Sequence, residues 1–417
     1  MVKLLFLTRS FPDTHRSATI QCTHRILECA RTSSKYEIHV LCLQYEGEKK
    51  EEVIKGIYVH RVKPSIWIRI RHYIEQNGWY RLDHIFESLQ KIGTVFFYPN
   101  TLPLTTKIYT KVAIKLMGKE SFDVVLSEYH GLMTLKAGCC LKKKNNHVVH
   151  IAFLWDPLKG ELMTKYLPFR FSSSRMDSLE RFVAKNTTLE ISMAVMKEYF
   201  ENQKDYALNH RFFLDIPTIL PPEKEIKTEY LKLLKEESIN IVYSGKLSLT
   251  ERNPLPIIDL LNKTEVAERV NLVFFSMGAK DAIEGSAISF KGTIAYHDFI
   301  PLKDLHTVYR FADYLLNISH INPNMVPSKL FEYMSYGKPI ISTFVSEGDA
   351  AEKCIKRYPE GLCIDLRHKS EDNVDELNNF ILKQHKPVAF EMVKNMYEDN
   401  TPEKYLEIIE DTLCSHQ

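Results

Sequence analysis

The chain has 417 residues, 44% of them hydrophobic and 11% aromatic, a length suited to two packed domains and a composition that excludes a disordered chain. Its net charge of +2 conceals an asymmetry: residues 1–215 carry 32 Lys and Arg against 22 Asp and Glu, whereas residues 216–417 carry 23 against 31, so the halves are expected to meet different partners. The 8 cysteines form no C-x-x-C pair and no His cluster at metal spacing accompanies them, which argues against a disulfide scaffold or a zinc module and for reduced thiols in a cytoplasmic protein.

Lys3 to Thr8 has the pattern of a buried strand and is too short an apolar run for a signal peptide. A polar loop, Arg9 to Arg16, leads to a helical stretch from Ser17 to Ala30, and strand, loop, helix is how a Rossmann-like half begins. Strands are expected at Tyr36–Leu43 and Ile57–Val62, with the charged run Glu46–Lys55 as a loop between them. Residues 53–119 then hold 11 Lys and Arg but only 3 Asp and Glu, interleaved with Trp67, Ile70, Tyr73, Trp79, Tyr80, Phe86, Phe96 and Phe97. Such a segment can lie on an anionic membrane, guide a lipid-linked anionic substrate, or pack its aromatics inward behind a solvated charged face. No recognised nucleic-acid motif accompanies the charge, so nucleic acid is not an expected partner. No apolar run approaches the roughly 20 residues that span a bilayer, and any membrane contact is expected to be peripheral, at the inner face of the plasma membrane.

Phe122–Ser127 and Val148–Leu154 read as further buried strands, followed by Glu128-Tyr129-His130-Gly131 and Trp155-Asp156-Pro157. Polar residues just beyond strand C-termini lie where open α/β sheets bind ligands. Asp156 either serves such a site or caps the next turn, and a lone His130 is more commonly structural. Helices are expected at Met176–Val183 and Ala194–Phe200, with a strand at Leu189–Ser192. The prolines at 217, 221 and 222 and the charged run Glu223–Ser238 mark a linker, placing a domain boundary near residues 217–238.

The second half opens with a strand at Ile239–Tyr243, then Gly245, Lys246 and Arg252, a glycine and basic residues before a helix that form a plausible phosphate cradle. Strands are expected at Leu272–Met277, Ile288–Gly292 and Asp313–Ile318, and a helix at Pro301–Phe311. In Pro327-Ser328-Lys329-Leu330-Phe331-Glu332-Tyr333-Met334-Ser335-Tyr336-Gly337-Lys338-Pro339-Ile340, the spacing of Leu330, Phe331 and Met334 predicts a short helix ended by Gly337 and Pro339. Free N–H groups at its first turn beside Lys329 suit an anion such as a diphosphate. Glu332, one turn further, can accept hydrogen bonds from ribose hydroxyls.

This stretch resembles the family four retaining glycosyltransferases of the GT-B fold, particularly bacterial enzymes of capsule, exopolysaccharide or O-antigen assembly. Their nucleotide-sugar helix often reads Pro-x-Lys-x-Phe-Glu-Tyr-Met/Leu-x-x-Gly-Lys/Arg-Pro-Val/Ile-Ile. The resemblance implies an α/β chain of two Rossmann-like domains with a deep interdomain cleft. Residues 1–220 would form the acceptor-binding domain, containing the basic aromatic segment 64–119. Residues 221–400 would form the nucleotide-sugar domain, and residues 401–417 a helix crossing back to the first domain.

The same resemblance implies donor contacts from Gly245, Lys246, Arg252, Ser328, Lys329, Leu330, Glu332, Ser346 and Gly348. It places Ser17, Ala18 and His130 on the acceptor side, with Asp156 there as an aid to deprotonation of the attacking hydroxyl. Ser17 and Ala18 stand where related enzymes often carry a pair of glycines. Asn324 occupies the place of the first of two family glutamates spaced by seven residues, the second being Glu332. Asn can hydrogen-bond a sugar hydroxyl but brings no carboxylate. No cofactor is expected beyond the nucleoside diphosphate sugar itself, and without an Asp-x-Asp motif the reaction is expected to need no metal. The expected activity is transfer of a hexose to a glycan or lipid-linked oligosaccharide. A nucleotide-sugar 2-epimerase of the same fold, or a non-catalytic assembly partner, are the other readings.

Overall fold

The apolar run at the start forms β1 (Val2–Leu7), and the chain continues through α1 (Ala18–Thr32), β2 (Tyr36–Leu43), β3 (Glu51–Ile54), β4 (Ile57–Val62), α2 (Ile66–Gln76), α3 (Pro103–Lys119), β5 (Val124–Glu128), α4 (Leu132–Lys144), β6 (Val149–Leu154), α5 (Phe169–Lys185), β7 (Leu189–Met193), α6 (Lys197–Glu201) and β8 (Arg211–Leu214). Then come β9 (Ile239–Lys246), α7 (Leu255–Lys263), β10 (Val270–Met277), α8 (Lys280–Ala287), β11 (Thr293–His297), α9 (Leu302–Phe311), β12 (Tyr314–Ile318), α10 (Ser328–Ser335), β13 (Ile340–Phe344), α11 (Ala350–Ile355), β14 (Gly361–Asp365), α12 (Glu371–Leu382), α13 (Phe390–Met396) and α14 (Pro402–Cys414). These elements come from a computed structural model, which describes residues 1–11, 18–79, 82, 88, 92–93, 95–129, 131–155, 158, 167–201, 210–323, 327–367 and 371–416.

The chain forms two units, Met1–Pro217 with Pro402–Gln417, and Thr218–Thr401. In the first, the strands run β3-β4-β2-β1-β5-β6-β7-β8, parallel throughout except for the antiparallel pair β3 and β4. The second has six parallel strands ordered β11-β10-β9-β12-β13-β14. Strands covered by helices on both faces must be largely apolar on both, which is why β1, β6 and β12 are apolar except for Lys3, His150 and Asn317. The direction of winding reverses between β1 and β5 in one unit and between β9 and β12 in the other. The crevice beyond the strand C-termini at such a reversal is the binding position of open α/β sheets.

Two expectations need correction, and one strand was not expected. The charged run 46–55 is not all loop, because Glu51–Ile54 pairs with β4 as an edge strand, in which Glu52 ion-pairs with the buried Arg61. The strand expected at 288–292 lies instead at Thr293–His297. Ile288 sits at the end of α8 with 89% of its surface exposed, and a Cβ on Gly292 would approach the Val270 carbonyl oxygen to 2.2 Å. Arg211–Leu214 forms a strand that its half-exposed aromatic pattern did not reveal.

In the first unit, α14 completes the core: Tyr405, Leu406 and Ile409 join Ile26, Leu27 and Phe153. Tyr405 donates to the Asp215 carbonyl at 2.7 Å, and Lys35 reaches Glu410 at 2.9 Å.

His150 on β6 is buried among its neighbours, with Nδ1 donating to the Asn186 carbonyl and Nε2 accepting from Ser127, both at 2.8 Å. Gly138 leaves room for the ring, since a Cβ there would lie 2.2 Å from Nε2. Burial lowers its pKa from 6.5 to about 4. In that window the unfolded chain binds a proton that the folded chain excludes, so stability present above pH 6.5 is lost as pH falls toward 4, by roughly 3 kcal/mol from this residue. Denaturant unfolding of wild type and His150→Gln at pH 7 and pH 4 checks this. The stability gap between them should narrow by about that amount, and a gap independent of pH would show that the ring does not titrate in this window.

Candidate functional site

At the winding reversal of the second unit, β9 ends in Tyr243-Ser244-Gly245-Lys246. Gly245 has φ 151°, and a Cβ there would meet the Tyr243 hydroxyl at 2.9 Å, so the chain passes close over that ring only because the residue is glycine. Tyr243 in turn donates to the Lys246 carbonyl at 3.2 Å. Its own pKa is raised by burial, and the positive charge of Arg252 partly offsets the rise. A tight turn brings Arg252 back to Ser248, with backbone bonds of 2.9 and 3.2 Å. Among the described residues, Arg252 Nε is buried without a hydrogen-bond partner. Asn253 accepts from the Leu255 N–H at 3.0 Å and starts α7. The Lys246 side chain is exposed.

Helix α10 begins after Pro327, with no side-chain cap on its first turn. Its buried residues are Leu330, Phe331, Glu332, Tyr333, Met334 and Ser335; placing Phe331 in the core contributes about 1.5–3 kcal/mol. Gly337 ends it at φ 65°, and a Cβ there would come within 2.3 Å of the Val388 carbonyl oxygen. Lys329 points back toward β9: its ammonium donates to Ser244 Oγ at 2.8 Å and to the Tyr309 hydroxyl at 3.4 Å. Ser244 also hydrogen-bonds Tyr309, and the Tyr333 hydroxyl accepts from the Ser244 N–H at 3.0 Å. Burial raises the pKa of both tyrosines, so they remain neutral hydroxyl partners.

The neighbouring loops are stitched to this cradle. The Ile321 N–H donates to the Glu251 carbonyl at 3.0 Å, Ser346 Oγ donates to the Ile321 carbonyl at 2.7 Å, and the Ala350 N–H donates to the Pro323 carbonyl at 2.9 Å. Gly348 has φ 73° with open space where a Cβ would be. Asp349 beside it caps α11, accepting from the Ala351 N–H at 2.8 Å.

The fold thus brings Gly245, Lys246, Arg252, Ser328, Lys329, Ser346 and Gly348 to the loops around one end of the sheet, while Leu330 is buried in the core. Glu332 is engaged by His306, whose Nε2 lies 2.9 Å from Oε1, with Glu223 3.6 Å from the other ring nitrogen. Asn324 lies outside the described residues, as do Ser17, His130 and Asp156. Ala18 is the first residue of α1. Sequence reasoning missed Ser244, Tyr309, Tyr333 and His306. Tyr333 stood inside the recognised motif, but the others are polar residues brought to the site only by the sheet order.

At the reversal of the first unit, Thr8 after β1 and Thr23 on α1 both donate to the carboxylate of Glu128, which is fully buried at the end of β5. Elsewhere in that unit Glu37, His39 and Glu120 lie close enough to share a metal ion, but Lys3 already supplies the cation, 3.1 Å from Glu37 and 3.0 Å from Glu120.

No family model and no curated protein matches the sequence. Solved structures do. Anabaena HepE in complex with UDP and glucose is similar at TM-score 0.61 and 12% identity, covering 100% of both chains. WaaG, a glycosyltransferase involved in lipopolysaccharide biosynthesis, is similar at TM-score 0.54 and 15% identity over 97% of this chain and 99% of its own. A structure assigned as a UDP-N-acetylglucosamine 2-epimerase from Listeria monocytogenes is similar at TM-score 0.54 and 12% identity, over 98% of this chain and 96% of that one. At these identities the likeness is one of fold, and the chain has the GT-B fold.

The close pass over Tyr243 is testable by stability. Gly245→Ala should cost about 1–3 kcal/mol, and adding Tyr243→Phe should recover part of that loss. Denaturant unfolding of the single and double variants reads the coupling, and a Gly245→Ala chain as stable as wild type would remove the steric argument.

Proposed function

We propose that the chain is a retaining glycosyltransferase. It moves a hexose from a nucleoside diphosphate sugar to a lipid-linked glycan acceptor in bacterial surface-polysaccharide assembly. The observation that carries this reading is the Lys329 ammonium resting on Ser244 and Tyr309, next to Gly245 at the winding reversal of β9 and β12. An ammonium on hydroxyl partners can turn to a diphosphate without breaking an ion pair to those partners. When the anomeric C–O bond breaks, its electron pair goes to the diphosphate. Lys329, Lys246, Arg252 and the N–H groups of the first turn of α10 then meet the growing charge, so that no metal is required. The solved complex of HepE with UDP and glucose supports a donor of this class for a shared fold.

Glu332, held by His306, takes the ribose. Asn324 is assigned to a sugar hydroxyl, and Ser346 and Gly348 to the sugar and phosphates. Asp156 is assigned to deprotonation of the acceptor hydroxyl, and Ser17, Ala18 and His130 to the acceptor side. The acceptor would be met at a membrane: α2 exposes Ile66, Trp67, Ile70 and Tyr73 together with Arg69, in a segment whose 11 basic residues face 3 acidic ones. Apolar side chains amid basic ones suit an anionic lipid surface. No helix among the described residues is long and apolar enough to cross a membrane.

A 2-epimerase is the second reading, favoured by the similarity to the Listeria monocytogenes structure. The two separate on the donor alone, since an epimerase releases an epimer from it and a transferase needs an acceptor.

A thermal-shift panel with UDP, GDP, ADP, TDP and CMP, with and without magnesium, tests the donor site. A nucleotide at about 100 times its dissociation constant should stabilise by roughly 2.7 kcal/mol, independently of magnesium. Lys329→Ala should abolish the shift at the same concentration; a shift retained in that variant would place the nucleotide elsewhere. For the membrane contact, co-sedimentation with phosphatidylglycerol vesicles should exceed that with phosphatidylcholine vesicles and fall severalfold in Trp67→Ser/Ile70→Ser. Equal recovery on both lipids would sink it.

A further inference from the structure

The opposite end of the second unit's sheet holds a cavity of about 480 Å³, within the size range of small-molecule sites. It opens at the N-terminal ends of β9, β12 and β13, between Ser238, Asp313, Lys338, Lys383, His385 and Arg269. Tyr314, Ile381 and Pro387 add apolar wall.

The charges here are unevenly satisfied. Lys338 is half-buried, and among the described residues its ammonium has neither a hydrogen bond nor an ion pair. Arg269 is exposed, and its guanidinium is likewise unengaged among the described residues. Lys383 and His385 both reach Glu360, at 3.3 and 2.6 Å. The other ring nitrogen of His385 faces the Phe380 carbonyl at 2.8 Å, so both ring nitrogens are already occupied. Asp313 Oδ2 accepts from the Asn240 N–H at 2.8 Å and from the Asn240 side-chain amide at 3.2 Å, while Oδ1 accepts nothing among the described residues.

Basic residues at helix C-termini ordinarily serve the helix carbonyls. Here other groups serve them. Tyr314 donates to the Ile381 carbonyl at 2.8 Å, and the Gly337 N–H donates to the Met334 carbonyl at 2.9 Å. Lys338 is therefore left for something else, and Arg269 lines the same cavity.

We propose that this cavity is a second binding site, taking a sugar monophosphate: the phosphate on Lys338 and Arg269, a sugar hydroxyl donating to Asp313 Oδ1, and the ring against Tyr314 and Ile381. Inorganic phosphate would fill only part of the volume and leave Asp313 without a donor. The site is distinct from the cradle at Lys329, because the two lie at opposite ends of α10, whose eight residues span about 12 Å.

Isothermal titration of the full chain with glucose 6-phosphate tests this, with inorganic phosphate and glucose as parallel titrants. Glucose 6-phosphate should bind at least tenfold more tightly than either. Lys338→Gln and the exposed Arg269→Gln should each weaken it at least fivefold, with melting curves showing that both variants fold. Lys329→Ala should leave that affinity unchanged. The proposal fails if glucose 6-phosphate gives no heat, if phosphate alone binds as tightly, if Lys338→Gln and Arg269→Gln bind like wild type, or if Lys329→Ala abolishes binding.

Discussion

The second unit turns on one contact, the Lys329 ammonium seated on the hydroxyls of Ser244 and Tyr309. Three elements must be in register for it to form: β9 supplies the serine, α9 the tyrosine and α10 the lysine. Tyr333, from the same helix as the lysine, locks the Ser244 backbone at 3.0 Å, so the strand end and the helix start are fixed to each other twice. Hydroxyl groups solvate an ammonium through dipoles, and here they hold Lys329 against the end of β9.

Glycine does the complementary work. Gly245 and Gly337 each sit where a Cβ would collide, one with the Tyr243 hydroxyl and one with the Val388 carbonyl. Between them they set how closely α10 and the β9 loop approach the surrounding chain. A bulkier residue at either position would have to move backbone or a buried ring, and the lysine contact depends on both.

Much of the fold was legible because mostly buried strands are rich in β-branched and other apolar residues: Tyr36–Leu43 and Ile57–Val62 lie where the pattern placed them. The short α10 was legible from periodicity and its terminating glycine. What sequence hid follows from physics that acts at a distance along the chain. Glu51–Ile54 is an edge strand, held by pairing rather than by an apolar face. Ile288 looked like a strand residue, yet it ends a helix in solvent. His306, 26 positions from Glu332, meets it only because α9 and α10 pack together, and no local pattern announces such a pair.

The first unit shows the same division. Its polar strand ends were readable, but not that Glu128 organises them. Glu128 closes β5 fully buried, and its carboxylate is held by hydroxyls from Thr8 after β1 and Thr23 on α1. A buried carboxylate is costly unless donors surround it, so this one fixes the end of β1 to the start of the unit's helical layer. In both units, then, a charged side chain at the winding reversal is steadied by hydroxyls. In the first unit that side chain, Glu128, is sealed inside the fold, and in the second, Lys329, it stands half-exposed. Burial, rather than their shared hydroxyl contacts, distinguishes the two.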